Sequence, residues 1–338
     1  MFLGRFTAAT GLGPTTVPLP DVAPIQIFAS TGRWGRATDP RACGGMGPCA
    51  VAVGNFDGVH VGHAAIVGRL LANAVRLGVP AVALTFDPHP ARILRPDQAP
   101  AALTLPQRRA ELLAGLGVDA TVVQPTDARL VALEPEVFFS QILRGGLQAQ
   151  ALVEGSDFRF GARRRGDVTL LAGLAQADGV ELEVVPPVVI DGEPVSSSRI
   201  RTLIAAGSVA AARQLLTAPY RLQGLVVTGR QRGQTIGFPT ANLGGVATLL
   251  PAEGVYAARA GVAGADRDWP AAVHIGPNVS FGETSATVEV HLIGFSGDLY
   301  GKSLHVDFLR RVRETRRFDS VEALKAQLAA DVALAASG

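Results

Sequence analysis

Two kinds of hydrophobic pattern follow each other along the chain, and the first begins at Ala50. Short apolar runs rich in Val and Ala alternate there with longer stretches in which apolar residues recur at helical spacing. The predicted strands cover 50–53, 81–84 and 120–123, and the predicted helices cover 63–77, 106–116 and 135–143. Strands that alternate with helices form right-handed βαβ units, whose parallel sheet is covered on both faces. The pattern therefore predicts an α/β domain with a doubly wound parallel sheet.

The second pattern begins after Leu216–Tyr220 and consists of strand-length runs in which polar and apolar residues alternate. Gly, Pro, Asn and Asp separate these runs, which cover 222–227, 255–259 and 287–292. Short alternating strands of this kind favour a small antiparallel barrel or sandwich, and we expect a barrel.

The two ends of the chain differ from these patterns. A final helix is predicted from Asp319, because Asp319 and Glu322 suit an N-terminal cap. One face of that helix, which we expect to pack on the barrel, consists of Val321, Leu324, Leu328 and Val332. Residues 1–48 keep no sustained period, so we expect a mostly irregular extension. The predicted division is thus 1–48, 49–216 and 217–338.

Length, charge and cysteine content narrow the class of protein. A chain of 338 residues fits two domains, and its formal net charge of +2 gives no global field for nucleic acid or an anionic membrane. The two cysteines have no His or Cys companions at metal-ligand spacing, and no apolar run approaches the roughly 18 residues that span a bilayer. We expect a cytoplasmic protein without nucleic-acid or membrane partners. No obligatory protein partner is evident, and self-association stays open.

The most informative segment, residues 53–63, joins the first strong strand to the first helix. It reads Val-Gly-Asn-Phe-Asp-Gly-Val-His-Val-Gly-His, and its glycines let the backbone approach a ligand. His60 and His63 can donate hydrogen bonds to phosphate oxygens as pyrophosphate leaves a nucleoside triphosphate. The alternative is that two histidines three residues apart cap the helix or bind a metal.

Two further segments offer groups that suit a phosphate and a ring system. The hydroxyls of Ser196–Ser198 and the guanidinium groups of Arg199 and Arg201 would form a phosphate clamp at a helix start. A serine cap beside solvated arginines is the alternative. Phe158 and Phe160 could stack on a flavin or fill a core.

No Walker loop and no protein-kinase signature occurs, so ATP in the second half must be held in another way. The segment 229–242 supplies glycines for close phosphate approach, and Thr240 and Asn242 are hard oxygen ligands suited to Mg²⁺. Glu289 lies in a predicted strand on the same face as His291, where a carboxylate could accept a proton from an attacking hydroxyl. The alternative for residues 229–242 is a β-turn with a polar tip. The alternative for Glu289 is a surface glutamate on a half-exposed strand.

Together these segments resemble the His-x-Gly-His nucleotidyltransferase superfamily and, within it, the prokaryotic bifunctional riboflavin kinase/FMN adenylyltransferases, or FAD synthetases. The resemblance covers about residues 50–333. Its motifs are residues 53–63, Thr-Phe-Asp-Pro-His-Pro at 85–90, Gly-Ser-Asp-Phe-Arg-Phe-Gly at 155–161, Ser-Ser-Ser-Arg-Ile-Arg at 196–201, Gly-Phe-Pro-Thr-Ala-Asn at 237–242 and Asp-Leu-Tyr-Gly at 298–301.

The resemblance implies two ATP-dependent steps, from riboflavin to FMN and from FMN to FAD, with Mg²⁺ accompanying ATP. Riboflavin, FMN and ATP are the implied partners. The implied catalytic residues are Glu289, the base of the kinase, and His60 and His63. The implied nucleotide-binding residues are Gly54, Asn55, Phe56, Asp57, Gly62, Ser197, Ser198, Arg201, Gly233, Gly237, Thr240 and Asn242, of which Thr240 and Asn242 bind the metal. The implied flavin-binding residues are Phe86, Pro88, His89, Asp157, Phe158, Phe160 and Arg313.

Departures from the family pattern concentrate in the second half. The family usually has Arg at Gln234, Asn at His274 and Pro at Val279. A lost guanidinium removes a charge-assisted bond to phosphate, so the kinase is the activity that these changes would affect. Two alternatives follow: an FMN adenylyltransferase with an impaired kinase module, or a non-catalytic flavin-binding regulator.

Overall fold

The computed structural model describes residues 15–19, 22–29, 47–229, 233, 236–277 and 287–337. By internal contacts the chain divides into two compact units. The first comprises Met1–Phe56, Ala65–Ala99 and Pro106–Pro187, and the second comprises Asp57–Ala64, Pro100–Leu105 and Val188–Gly338. The division predicted at residue 216 concerns function, and it stays a prediction.

The first unit is built on a seven-stranded sheet. Its strands are β1 (Thr15–Leu19), β2 (Val22–Ala29), β3 (Cys49–Val53), β4 (Ala81–Asp87), β5 (Ala120–Pro125), β6 (Ala149–Gly155) and β9 (Glu181–Val185), with the short pair β7 (Arg159–Phe160) and β8 (Gly166–Asp167) outside it. The helices between them are α1 (Val61–Leu77), α2 (Ala91–Leu94), α3 (Pro106–Gly115), α4 (Ala128–Val131), α5 (Pro135–Phe138), a π-helix (Phe139–Gly146) and α6 (Val168–Ala177), and short 3₁₀ turns cover Pro96–Gln98 and Ala162–Arg164.

The strand order β1-β2-β5-β4-β3-β6-β9 confirms the predicted parallel sheet. Five neighbouring strands of the sheet pair in parallel, in the order β5, β4, β3, β6 and β9. Every residue of β3 is buried, as expected for a strand covered on both faces. Strands β4 and β5 are added in turn on one side of β3, and the chain then returns to place β6 on the other side of β3. This reversal creates a switch point between β3 and β6.

The expected irregular extension is wrong for residues 15–19 and 22–29, which form β1 and β2. Strand β2 pairs antiparallel with β5, through Gln26–Ala29. This strand was not predicted because it contains Pro24, and a proline inside a strand pattern argues against a strand. Pro24 is tolerated because it lies opposite the irregularity in the β1–β2 register and outside the pairing with β5.

The second unit contains a closed six-stranded barrel, as predicted. Its strands are β12 (Arg221–Val227), β13 (Ala241–Gly244), β14 (Gly254–Val262), β15 (Asp268–Gly276), β16 (Thr287–Leu292) and β17 (Ser303–Arg313). Before the barrel come a hairpin of β10 (Val189–Ile190) and β11 (Glu193–Pro194), then α7 (Ser197–Ala205) and α8 (Val209–Leu215); α9 (Val321–Ala336) follows it. Alternate residues of β13 and β16 are buried, β14 is buried along almost its whole length, and the barrel shares one core with apolar residues of α7 and α8.

The final helix packs on β14, β15 and β17, which confirms the predicted docking on the barrel. Its cap differs from the prediction: Ser320, rather than Asp319, accepts the hydrogen bond from Ala323 N. Val321 is exposed instead of packed. The most buried polar residue of the helix is Asp331, which is 1% exposed.

Asp331 is buried because it forms a bidentate ion pair with Arg313 of β17. Arg313 Nη2 lies 2.7 Å and Nε 3.0 Å from the two carboxylate oxygens, and Gln327 donates to the same carboxylate. Arg313 Nη1 donates to the Glu314 carbonyl. The guanidinium therefore anchors α9 to the barrel, and the predicted flavin contact of Arg313 stays a prediction.

Replacing Asp331 by Ala should destabilise the second unit by up to about 3 kcal/mol, because the partly buried guanidinium of Arg313 would lose its fully buried counter-charge. Urea unfolding monitored by circular dichroism would measure the loss. The control is the double variant Arg313→Leu/Asp331→Leu, which removes both charges and should recover most of the stability. An Asp331→Ala protein as stable as the wild type would contradict the anchoring role.

Candidate active sites

Three predicted ligand-binding segments follow parallel strands of the first unit at the same edge of its sheet. Gly54 and Asn55 follow β3, Pro88 and His89 follow β4, and Asp157 follows β6. Open α/β sheets bind ligands outside the carboxyl ends of their strands, beside the point where the strand order reverses. The fold thus brings these segments to the edge that such sheets use for nucleotides and flavins.

A buried arginine, Arg109 of α3, links two of these segments. Its Nη1 donates to Thr85 Oγ1 at 2.8 Å and to the Phe86 carbonyl at 3.2 Å, while Thr85 Oγ1 donates to the Asn55 carbonyl at 3.0 Å. The turn after β3 and the end of β4 are therefore held by side-chain hydrogen bonds. Sequence analysis missed Arg109, because nothing in a helical pattern marks a buried arginine.

The predicted flavin-binding aromatic residues form one cluster within the first unit. The rings of Phe158 and Phe160 stack with centroids 5.4 Å apart, and Phe138 lies 6.0 Å from Phe160 and 6.5 Å from Phe86. Phe160 is buried in the core, whereas Phe158 is partly exposed and Asp157 is exposed. Phe158 is therefore the better placed of the two to stack on a ligand.

Glu154 occupies the gap where β3 and β6 separate. Backbone pairing between these strands ends at Val51 and Leu152, and Glu154 Oε1 accepts from Val53 N at 2.8 Å. The side chain is 1% exposed, and its burial raises the pKa of this carboxyl well above its usual range. Sequence carried a signal for this residue: a lone acid near the carboxyl end of an apolar strand.

The pH dependence of stability should reveal the buried Glu154. Because its folded pKa is raised, the contribution of this carboxyl to stability is fully present below the unfolded pKa and is lost as the pH rises through the folded pKa. Glu154→Gln keeps an acceptor for Val53 N and cannot ionise. The thermal midpoint of Glu154→Gln should therefore increase relative to that of the wild type as the pH rises from about 5 to 9.

The matched control is Glu111→Gln, which removes the charge of an exposed glutamate on α3. Its thermal midpoint should differ from that of the wild type by an amount that changes little with pH. Parallel pH curves for Glu154→Gln and the wild type would show that Glu154 does not titrate as the structure predicts.

In the second unit, Asp57 is the centre of a hydrogen-bond cluster. This carboxylate is 3% exposed and accepts from Leu103 N at 3.0 Å, from Thr104 N at 2.8 Å and from Thr104 Oγ1 at 3.0 Å. It also forms an ion pair with Arg201 of α7. A buried carboxylate requires such donors and a counter-charge, because desolvation alone would disfavour its charged form. The sequence analysis predicted both Asp57 and Arg201 but not their pairing.

His60 and His63 form a reciprocal pair at the start of α1. His60 Nδ1 accepts from His63 N at 3.2 Å, His63 Nδ1 accepts from His60 N at 3.3 Å, and the rings stack with centroids 3.6 Å apart. Because each Nδ1 is an acceptor, the neutral rings carry their protons on Nε2. Gly62 makes this arrangement possible, since a Cβ there would lie 3.0 Å from His60 Nδ1. The capping alternative is thus real, and it engages Nδ1 rather than Nε2 of each ring.

The serine-arginine segment begins α7, and its hydroxyls have different partners. Ser196 caps the helix by accepting from Arg199 N, Ser197 Oγ donates to the Asp57 carbonyl at 2.8 Å, and Ser198 is exposed. Arg199 donates to backbone carbonyls of the β10–β11 hairpin. Arg201 Nε and Nη2 have partners, whereas Nη1 makes no hydrogen bond with the described residues, which favours Arg201 over Arg199 for phosphate binding.

The kinase candidates lie side by side on the outer face of the barrel. Asn242 of β13 and His274 of β15 both pair with Glu289 of β16, so the three residues form one row across neighbouring strands. In each strand the flanking residues are buried in the barrel core. Thr240 precedes β13 by one residue, and period-two alternation places it on the face of Asn242.

The turn that carries the Gly-Phe-Pro-Thr-Ala-Asn motif is held against this row by His291. His291 Nδ1 donates to the Pro239 carbonyl at 2.7 Å, and its ring makes an edge contact with Phe238. Gly237 has a φ of +89°, a value that favours glycine. Sequence analysis placed His291 on the face of Glu289 but did not predict that it fixes the turn that contains the predicted metal ligands.

Two glycines leave room around the predicted metal ligands. A Cβ on Gly229 would overlap Asn242 Nδ2, and a Cβ on Gly233 would overlap the Phe238 carbonyl oxygen in the turn that carries Thr240. Hard oxygen atoms beside an open backbone fit Mg²⁺ with its phosphate ligands. The other residues named for this loop, Gln234 and Val279, lie outside the described residues.

His274, the residue that departs from the family pattern beside Glu289, is uncharged at neutral pH. Burial, followed by the charge of Arg313, lowers the pKa of His274. Its Nδ1 is buried and has no hydrogen-bond partner among the described residues. The substitution therefore places no additional cation next to Glu289 at neutral pH.

Comparison with known proteins identifies both halves of the chain. A family model for FAD synthetase matches residues 45–199, and one for riboflavin kinase matches residues 216–337. The bifunctional riboflavin kinase/FMN adenylyltransferase of Pseudomonas fluorescens is 40% identical over 85% of this chain and 92% of its own. The protein of that description from Escherichia coli K12 is 35% identical over 84% and 90%, respectively.

A solved structure shares the fold over most of the chain. It is described as a macrolide-efflux protein of Streptococcus pneumoniae, with a TM-score of 0.75, 31% identity and coverage of 85% of this chain and 93% of that one. Among the residues that the structure describes here, no helix has the length and apolar character needed to cross a membrane.

A parallel sheet with a His-x-Gly-His turn, followed in the chain by a closed barrel with a Gly-Phe-Pro-Thr-Ala-Asn turn, defines a nucleotide-dependent transferase with two centres. The chain belongs to the bifunctional riboflavin kinase/FMN adenylyltransferases. Membership confirms the resemblance drawn from its motifs, and the matches to both family models give no support to the single-activity and regulator alternatives.

Proposed function

We propose that this protein makes FAD from riboflavin in two ATP-dependent steps, with the kinase in residues 217–338 and the adenylyltransferase in residues 49–216. The proposal is supported most strongly by the presence of two features in one chain of this family. These are the row of Asn242, Glu289 and His274 and the reciprocal histidine pair. Both steps consume ATP, which supports a cytoplasmic location.

In the kinase step, the 5′-hydroxyl oxygen of riboflavin attacks the γ-phosphorus of ATP. The bond from that phosphorus to the β–γ bridging oxygen breaks, and ADP leaves. Glu289 accepts the hydroxyl proton, which raises the nucleophilicity of the attacking oxygen. His291 keeps the Pro239 carbonyl, and with it the turn containing Thr240, in place beside Glu289.

Thr240 and Asn242 would hold Mg²⁺ in this centre, and the bound ion would offset the negative charge of the ATP phosphates. Beside the turn, a Cβ on Gly237 would meet nothing within 4 Å, so this position is open to a ligand. Gly233 and Gly237 are proposed to approach the nucleotide through their backbone.

In the adenylyl-transfer step, a phosphate oxygen of FMN attacks the α-phosphorus of a second ATP, and pyrophosphate leaves. The Nε2–H groups of His60 and His63 donate to the phosphate oxygens on which charge develops. Arg201 Nη1 and the Ser198 hydroxyl are proposed to bind the departing pyrophosphate. No protein nucleophile takes part, so this centre acts by positioning and electrostatic stabilisation.

The test is a time course of riboflavin, FMN and FAD, separated by liquid chromatography, with purified protein, ATP and Mg²⁺. We expect FMN to appear first and FAD to follow. Unchanged riboflavin with conversion of added FMN would limit the protein to adenylyl transfer. No product from either flavin would leave only a binding function.

Repeating the time course with the metal removed by a chelator tests the proposed cation. Riboflavin phosphorylation should stop and should return when Mg²⁺ is added in excess. Phosphorylation that continues at the original rate without a divalent cation would contradict the role of Thr240 and Asn242 as metal ligands.

A further inference from the structure

A short segment without strand or helix, Pro100–Leu105, is fastened to the second unit at several points; we call it the strap. The Ala101 carbonyl accepts from Arg201 Nε at 2.7 Å, and the Ala102 carbonyl accepts from Leu249 N at 2.9 Å. Leu103 and Thr104 donate their backbone N–H groups to Asp57. So many specific bonds fix the course of a segment that has no regular structure of its own.

Within the strap, Thr104 connects two parts of the adenylyl-transfer centre. Its hydroxyl donates to Asp57 Oδ1 at 3.0 Å and accepts from Gly58 N at 3.0 Å. Thr104 is 8% exposed, so water cannot easily replace these bonds. One hydroxyl thus satisfies a buried carboxylate and a buried backbone N–H at the same time.

The turn that Thr104 holds has an uncommon backbone. Phe56, Gly58 and Val59 have φ values of +45°, +85° and +41°, in the region that phenylalanine and valine rarely adopt. Such a conformation persists only when surrounding contacts enforce it. The next residue is His60, so the direction of this turn determines where the histidine pair begins.

The other connection runs from Thr104 through Asp57 to Arg201. Asp57 Oδ2 pairs with Arg201 Nη2, and the strap carbonyl of Ala101 takes the Nε–H of the same guanidinium. These two contacts fix the plane of the guanidinium and therefore the direction of Nη1. The strap and Asp57 together control a group proposed to bind pyrophosphate.

We propose that Thr104 is a positioning residue for adenylyl transfer, which holds the histidine turn through Gly58 and the Arg201 guanidinium through Asp57. The proposal rests on the adenylyltransferase function proposed above. Thr104 touches no substrate in this account. Its contribution is to keep groups that stabilise the departing pyrophosphate in their catalytic orientation, where displacement by about 1 Å is enough to lower the rate.

The test compares three variants in conversion of FMN to FAD, with riboflavin phosphorylation measured on the same preparations. Thr104→Val keeps the shape and removes the hydroxyl, whereas Thr104→Ser keeps the hydroxyl. Thr126→Val is the matched control, because Thr126 is 5% exposed and its hydroxyl has no hydrogen-bond partner among the described residues.

We expect Thr104→Val to lower kcat for FAD formation by about 10- to 100-fold while KM for FMN changes much less. Thr104→Ser should restore most of the rate. Riboflavin phosphorylation should stay within about twofold of the wild type in all three variants, and Thr126→Val should also keep its FAD formation.

Wild-type kcat in Thr104→Val, or an equal loss in Thr126→Val, would overturn the proposal. A parallel fall of both activities in Thr104→Val would also overturn it, because it would indicate a general folding defect. If the wild-type protein itself formed no FAD from FMN, the adenylyltransferase function would fail and this inference with it.

Discussion

Glu289→Gln should lower riboflavin phosphorylation by about 100- to 10,000-fold, the usual contribution of a general base. The amide keeps the size and the hydrogen-bonding shape of the side chain but cannot take the proton of the 5′-hydroxyl. Its neighbours in the row, Asn242 and His274, keep their strand register because the substitution leaves the backbone pairing intact. The FMN time course with saturating riboflavin and ATP measures the effect.

The same preparation carries its own control, since FMN supplied directly should still become FAD at the wild-type rate. Thr287→Val, on the outer face of the same strand two residues away, is the matched substitution and should keep most of the kinase activity. A Glu289→Gln protein that phosphorylates riboflavin within about threefold of the wild type would exclude Glu289 as the base.

His63→Asn should lower FAD formation by about 100- to 1,000-fold, as expected when a donor to developing negative charge is lost. The asparagine oxygen can replace Nδ1 as the acceptor for His60 N, but it supplies no donor at the position of Nε2. The variant therefore separates the capping role of the histidine from its proposed catalytic role. Conversion of added FMN to FAD is the measurement.

Thermal unfolding should change little in His63→Asn, because the bond to His60 N is kept. Asp127→Asn is the matched control: Asp127 caps α4 by accepting from Leu130 N in the same local manner, and no ligand contact is predicted for it. Normal FAD formation by His63→Asn would reduce the pair to a helix cap. A large loss of both thermal stability and kinase activity would show that the ring is required for folding.

The regular elements could be predicted from local pattern alone. Strands β3, β4 and β5 are runs of buried residues, and helices α1 and α3 end within one residue of their expected limits. The helix expected over 135–143 becomes α5 and a π-helix, because the hydrophobic spacing does not distinguish the two kinds of helix. Local signals also failed at the last cap, where Ser320 and Asp319 are both good capping residues and only the backbone decides between them.

The candidate residues were predictable because their motifs are long, but their mutual contacts were not. Asp57 and Arg201 are 144 positions apart, and no local pattern indicates that they form an ion pair. Arg313 illustrates the same limit: its place in the sequence suggested a ligand contact, and the structure gives it Asp331 as a partner. Thr104 lies in a stretch with no periodic signal, so only the fold could reveal its bonds to Asp57 and Gly58.

The composition of the second unit restricts how this gene could be divided during evolution. Helices α7 and α8 supply Ile200, Ile204 and Val209 to the same core as the barrel, and the turn with His60 pairs with Leu216. A gene fragment that began at codon 216 would encode a barrel deprived of these side chains. A lineage that needs FMN but not FAD could lose adenylyl transfer by point mutation. A split of the gene at that codon would also remove part of the barrel's core and should destabilise the kinase that remains.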